Sequence, residues 1–205
     1  SEMVDASIGN MMDRLTYLGY YGSDIESVID VKKKNVTVSY NITLGKRFPI
    51  KDIEITLPAV GTFADDFLAD TAAMVIKVGD YLSEDILENE TIRASAALRN
   101  MGYYEFSKNN FFFEADTLSY PDSAVLKMTV NGYTRNETPD RVRPISKFTF
   151  NQVSISYPQT LKIREKILKE LTTIRPGETY STDVVNSTYT RLSSLRMFSS
   201  VNIGM

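Results

Sequence analysis

One block of residues occurs three times in this chain, and that recurrence limits the fold more than any other feature. The copies read RLTYLGYY at 14–21, ALRNMGYY at 97–104 and RLSSLRMF at 191–198. Leu15, Leu98 and Leu192 correspond, as do Leu18, Met101 and Leu195, and then Tyr21, Tyr104 and Phe198. A second block recurs twice: IKVGDYLSED at 76–85 matches IRPGETYSTD at 174–183. A third, Ile53-Glu-Ile55, matches Val153-Ser-Ile155. A period of roughly 85–100 residues is too long for a solenoid, whose repeats run to about 20–50 residues, and is the size of a small domain. The sequence therefore predicts an array of similar small domains, an arrangement suited to binding and spacing.

The elements follow from periodicity. Ile8, Met11, Leu15 and Leu18 step by three and four residues and make one apolar helix face, with Gly19 as its terminator. A strand over 24–31, a turn at 32–35 and a half-buried strand over 36–44 follow, the last read from alternating Val36, Val38, Tyr40, Ile42 and Leu44. The next segment predicts a strand over 50–57 and a helix over 63–74. Ser83 is the N-cap of a second helix, with Glu84 and Asp85 in its first turn and Gly102 at its end. Strands over 110–116 and 125–130 complete a β-α-α-β-β order. Residues 134–144 are polar and carry two prolines, Pro139 and Pro144, which predicts a linker. The pattern then restarts with a strand over 148–156, helices over 158–171 and 182–195, and a strand over 199–203. The predicted organisation is a partial unit at 1–47, a complete unit at 48–133, the linker at 134–144 and a partial unit at 145–205 that lacks its last strand. A chain that begins inside one unit and ends inside another reads as a segment of a longer polypeptide.

Composition excludes several chemistries. The net charge is −3, and Lys32-Lys33-Lys34 is the one basic run, so no nucleic-acid partner is expected. The chain has no cysteine and no histidine, which removes disulfides, thiolate metal sites and the commonest general base. Asp65, Asp66 and Asp70, and Glu84, Asp85, Glu88 and Glu90, read as solvated acidic helix faces rather than as an acid–base pair or a cation site. A hydrolase built on them would need two carboxylates across a cleft. Gly79 and Gly177 read as turn residues rather than phosphate loops. No catalytic, cofactor-binding or metal-ligating residue is expected.

The order of elements, with Ile53-Glu-Ile55, Gly79-Asp-Tyr-Leu-Ser83 and Leu98-Arg-Asn-Met-Gly102-Tyr-Tyr104, resembles the POTRA (polypeptide-transport-associated) domain. Val153-Ser-Ile155, Gly177-Glu-Thr-Tyr-Ser181 and 192–198 repeat the signature, with Arg196 where the family often has glycine. The stretches 93–117 and 189–198 look most like the TamA-like members of the BamA/TamA outer-membrane assembly superfamily, of the Bacteroidetes type. The resemblance implies an α+β fold of tandem POTRA domains, each a three-stranded mixed sheet with two helices. It implies a non-catalytic periplasmic scaffold, tethered to the outer membrane in the parent protein, that binds and delivers outer-membrane proteins. The implied partners are unfolded outer-membrane proteins and periplasmic or lipoprotein accessory factors. Contact with the membrane would come only through a C-terminal barrel absent from this chain. Two-partner secretion or cell division is the alternative setting for the same fold.

The candidate client site is the strand of Asn110, Phe111, Phe112, Phe113, Glu114, Ala115 and Asp116. Three consecutive aromatics on a strand put at least one on each face, and a sheet edge there would pair with an extended client segment through main-chain hydrogen bonds. Tyr20, Tyr21, Tyr103 and Tyr104 are expected in cores and at domain junctions.

Overall fold

The structure is a computed structural model that describes residues 2–33, 35–58, 61–132, 144–158 and 163–204. The predicted linker at 134–144 falls, except for Pro144, outside the described residues. The described chain forms two compact units: residues 1–57, 73–92 and 111–130 make the first, and 58–72, 93–110 and 131–205 the second.

In the first unit, α1 (Glu2–Tyr17) leads into the hairpin of β1 (Asp24–Lys32) and β2 (Asn35–Thr43). The face Val4, Ile8, Met11, Leu15 and Leu18 of α1 is turned away from solvent, as its spacing predicts. Its end is a Schellman turn: the Tyr20 N–H donates to the Leu15 carbonyl at 2.9 Å, and Gly19 sits at φ 84°. The β1–β2 register places Ile25 opposite Ile42, Ile29 opposite Val38 and Val31 opposite Val36. This is the predicted alternation, but β2 is not half-buried. Val31 and Val36 are 64% and 63% exposed, because a lone two-stranded ribbon has no second layer over its apolar face.

The same unit holds a three-stranded mixed sheet of order β3-β5-β4, with β3 (Ile50–Thr56) parallel to β5 (Ala124–Val130) and β4 (Phe111–Asp116) antiparallel to it. The central strand β5 carries the densest apolar alternation in the chain. Ala124, Leu126 and Met128 are fully buried and Val130 nearly so. Register puts Ile53 and Ile55 of β3, and Phe111 and Phe113 of β4, on that same buried face. Ile50, at the start of β3, exchanges backbone hydrogen bonds with the loop ahead of the following helix. Its N–H donates to the Asp80 carbonyl and its carbonyl accepts from Gly79 N–H, while Leu82 N–H donates to Phe48.

Two helices contribute residues to the second unit: α2 (Phe63–Asp70), which ends in a 3-10 turn at Thr71–Ala73, and α3 (Glu84–Asn100). The Ser83 hydroxyl accepts from Ile86 N–H at 3.3 Å, the expected N-cap bond of α3. The C-terminal end of α3 repeats the Schellman turn of α1, with Tyr103 N–H donating to Leu98 and Gly102 at φ 110°. Phe63 packs edge-on against Tyr103 (5.1 Å between ring centres) and at a 43° tilt against Phe106 (5.2 Å).

The second unit also contains α4 (Glu165–Leu171) and α5 (Thr182–Ser193). Three expectations change here. Residues 157–158 are not helical, and α4 starts at Glu165, so the helix predicted from 158 is shorter where it is described. The predicted strand at 148–156 is not a strand; Thr149 forms one isolated bridge with Thr179. The predicted strand at 199–203 is absent as well. Strands need a ladder, and residues 151–158 and 197–204 make no backbone–backbone hydrogen bond among the described residues. The α+β class is as expected, and its mixed sheet has the two strand polarities that the β-α-α-β-β order predicts.

Candidate functional site

The candidate strand lies at the outside of the three-stranded sheet. β4 is paired on one side with β5, and on its other side there is no further strand among the described residues. Asn110 falls one residue before it, in a 3-10 turn at Lys108–Asn110, and is buried. Its side-chain carbonyl accepts from Ser107 N–H at 3.0 Å and its amide donates to the Asn131 carbonyl at 2.8 Å. Asn110 therefore fixes the entry to β4 and does not itself present an edge.

Along β4 the three phenylalanines divide as the pleat demands. Phe111 and Phe113 lie on the buried face, their rings 6.2 Å apart and nearly parallel at 6°. Phe112, Glu114 and Asp116 face the other way, opposite Thr129, Lys127 and Val125. The outward face of the sheet is acidic: Asp52 and Glu54 from β3 and Glu114 and Asp116 from β4 flank Lys127, whose ammonium is 3.8 Å from Glu54. Asp116 has a structural task. Its carboxylate accepts from the N–H groups of Leu118 and Ser119, both at 3.0 Å, which starts the β4–β5 turn. The Ser119 backbone bond first, then its hydroxyl, holds this carboxyl below the usual aspartate range. Ala115 is exposed on the strand between them. The strand thus offers a backbone edge flanked by one apolar and one acidic face.

Of the acidic helix residues, Asp65, Glu84 and Glu88 are exposed as expected, while Asp66, Asp70 and Glu90 are engaged by other parts of the fold. Glu90 is fully buried and its carboxylate accepts from Val75 N–H at 2.7 Å. Asp70 accepts a two-pronged bond from Arg93, at 2.7 and 3.2 Å, with only 10% of its side chain exposed. Asp66 accepts from the Tyr103 hydroxyl at 2.6 Å and pairs with Lys147 at 2.7 Å. Each carboxylate has a distant donor that local sequence does not reveal. No group of three or more Asp or Glu among the described residues is placed to hold a metal ion.

Tyr103 is 1% exposed, and burial first, with the Asp66 carboxylate second, pushes its hydroxyl up to about 12. Lys147 and then Tyr103 hold Asp66 below the ordinary aspartate range. Tyr104 packs edge-on against Tyr180 (4.9 Å) and Phe148 (5.8 Å). Tyr20 and Tyr81 face the Arg47 guanidinium, at 4.9 and 4.1 Å from their ring centres. Tyr21 pairs by a bridge with Lys46 and packs on Phe48. These tyrosines are packing residues; Tyr103 also donates a hydrogen bond from its tip, and Tyr20 and Tyr81 present ring faces to a guanidinium.

The repeat is built into the hydrogen bonding. Phe150 N–H donates to the Glu178 carbonyl, Gly177 N–H to Phe150, and Tyr180 N–H to Phe148. These are the bonds of Ile50, Asp80, Gly79, Leu82 and Phe48, moved to the second copy of the motif. Gly79 and Gly177 both have positive φ, at 97° and 86°, and Ser181 caps α5 as Ser83 caps α3. Arg196, in the position of Gly19 and Gly102, adopts their left-handed conformation at φ 52°. The helix end turns there without the glycine.

Comparison with solved structures points the same way. A crystal structure of POTRA domains 3–5 of BamA from Haemophilus influenzae matches 97% of this chain and 72% of its own length, at a TM-score of 0.56 and 14% identity. The chain has a POTRA fold. Weaker matches are POTRA domains 1–2 of the periplasmic domain of Omp85 from Anabaena and BamA from Haemophilus ducreyi lacking POTRA domains 1–3. The first covers 73% of this chain and 78% of that one at 11% identity, the second 64% and 24% at 14%, both at a TM-score of 0.40. No family model matches the chain, and no curated protein matches it. No helix among the described residues is long and apolar enough to cross a membrane.

Proposed function

We propose that this POTRA chain is a periplasmic scaffold, held at the outer membrane by its parent protein, that binds outer-membrane proteins and passes them on for barrel assembly. The observation that carries this reading is the outer position of β4 in a POTRA sheet. A client strand added there gains main-chain hydrogen bonds with little demand on its sequence, which suits a machine with many clients. Soluble proteins commonly blunt such edges; Glu114 and Asp116 keep this one from joining another copy of itself, since like charges would face each other across the new pair. The domain reading goes with it: 48–133 as one complete POTRA domain in the order of its elements, flanked by related partial domains at 1–47 and 145–205.

The test is mapping with extended peptides taken from outer-membrane barrel strands. Amide shifts and slowed exchange are expected along 113–116, and changes confined to α2 and α3 would refute the site. Neighbouring strand residues direct their N–H groups to opposite sides. Of Glu114→Pro and Ala115→Pro, one therefore breaks β5 pairing and the other removes only an outer donor. The second kind should weaken peptide binding while leaving the melting temperature nearly unchanged. Equal binding by both variants and the parent chain would overturn the augmentation mechanism.

A further inference from the structure

The three-stranded sheet has two outer strands, β3 and β4, and they differ in what they leave open. Which backbone groups each turns outward follows from the central strand. Ala124 N–H donates to the Pro49 carbonyl at 2.9 Å, so Ala124 directs its backbone groups toward β3, as do Leu126 and Met128 by alternation. In a parallel pair one member of each facing couple bonds the neighbours of the other, and the other member turns its own N–H and C=O away. Ile50, opposite Ala124, does this: its N–H goes to the Asp80 carbonyl and its carbonyl accepts from Gly79. By the same rule Ile53, opposite Leu126, and Ile55, opposite Met128, turn their backbone groups outward. On the other flank Val125, Lys127 and Thr129 direct their groups toward β4, so Phe113 and Ala115 carry outward groups there.

The outward row of β3 is closed in two places. At its start the loop before α3 covers it, with Ile50 bonded at both backbone groups and Pro49 bridged to Tyr81. The register then shifts between Ile50 and Asp52, a bulge that puts Ile53 rather than Asp52 in the outward row. The Ile53 N–H is taken by the residue before it: Asp52 Oδ1 accepts from it at 2.9 Å. Within β3 the outward donor that remains is Ile55 N–H. A joining strand needs a run of bonds, and native sheets keep an edge from pairing by bulges and charged side chains placed on it.

We propose that Asp52 is an edge guard. Its carboxylate takes the place of an incoming strand carbonyl at Ile53 and keeps extended segments off β3, so that strand addition to this sheet is confined to β4. The closure of β3 stands on the bulge and the Asp52 bond alone; the confinement to β4 rests on the reading of β4 given above.

The test uses the whole chain as parent, Asp52→Ala and Asp52→Asn, with a capped peptide of residues 124–130, AVLKMTV, as the probe, because β3 accepts that segment on its inner side. Asp52 is exposed, so neither substitution disturbs the core. Without peptide, Ile53 amide exchange should be about fivefold faster in Asp52→Ala than in the parent, and close to the parent in Asp52→Asn, whose side-chain carbonyl still accepts. With peptide, exchange at Ile53 and Ile55 should slow in Asp52→Ala and stay unchanged in the parent and in Asp52→Asn. Three outcomes overturn the proposal: peptide protection of Ile53 and Ile55 in the parent, no protection of them in Asp52→Ala, or Asp52→Asn behaving as Asp52→Ala, which would make charge rather than the bond the barrier. Exchange at Phe113 and Ala115 is read separately in every variant. No slowing there would refute the β4 site, and the guard would still be decided at Ile53 and Ile55.

Discussion

The Tyr103–Asp66 hydrogen bond should contribute more to stability than its solvent-exposed neighbours, and its contribution should depend on pH at both ends. Tyr103→Phe removes one hydroxyl and leaves the ring in its contact with Phe63. The lost bond is short, at 2.6 Å, and its acceptor is a carboxylate. Bonds to charged groups contribute about 1.5–3 kcal/mol. Asp66 is 29% exposed and keeps Lys147, which places the expected loss near the middle, about 2 kcal/mol at pH 7. Asp66 has a folded pKa below its unfolded value. Its contribution is therefore present above about pH 4 and is lost as pH falls through the lower folded value. Once acid has protonated Asp66, the bond is between neutral groups, and the loss on Tyr103→Phe should shrink to about 1 kcal/mol. Tyr103 has the opposite sign. Its folded pKa is raised to about 12, so its contribution is complete below pH 10 and disappears as pH rises through 12. Urea unfolding of the parent, Tyr103→Phe, Asp66→Asn and the double variant, at pH 7 and in acid that protonates Asp66, gives the coupling directly. Phenolate absorbance should lose its most alkaline step in Tyr103→Phe, among the chain's 12 tyrosines. A loss below about 0.5 kcal/mol at pH 7, or a loss that is the same at both pH values, would refute the charge-assisted bond.

Other perturbations test the helix ends and the buried carboxylate. Arg196→Gly should stabilise the chain by about 0.5–1 kcal/mol, since it relieves a left-handed cost of about 1–2 kcal/mol on an exposed residue against the extra freedom of unfolded glycine. A lowered melting temperature would contradict this. Gly19→Ala should cost about 3 kcal/mol or more, measured by urea unfolding, because φ is 84° and a Cβ would collide with the Leu82 carbonyl oxygen. Glu90→Ala removes the buried carboxylate that accepts from Val75 N–H and should cost about 2–3 kcal/mol, whereas Glu90→Gln keeps an acceptor and should cost less than half as much; equal melts for the two would remove the assigned role.

What sequence made legible was whatever depends on near neighbours. Gly19 and Gly102 mark helix ends because a Schellman turn is a local event, and Ser83 marks a helix start for the same reason. The repeat carried more, since it tied Gly177 and Ser181 to positions already understood. Asp66, Asp70 and Glu90 were misread because their donors lie 37, 23 and 15 residues away. A carboxylate on a helix looks solvated until the fold brings a tyrosine, an arginine or a backbone N–H to it. The strands predicted at 148–156 and 199–203 show the complementary limit. Val153 and Ile155, the residues matched to Ile53 and Ile55, are less exposed than Gln152, Ser154 and Ser156 beside them. Alternation specifies a face, however, and a strand also requires a partner at about 4.8 Å to take its hydrogen bonds. In the first unit β5 supplies that partner to both neighbours, so the same alternation in Ile53 and Ile55 becomes a ladder. In the second unit no strand pairs with 151–158 or 197–204 among the described residues, and the pattern alone does not make a sheet.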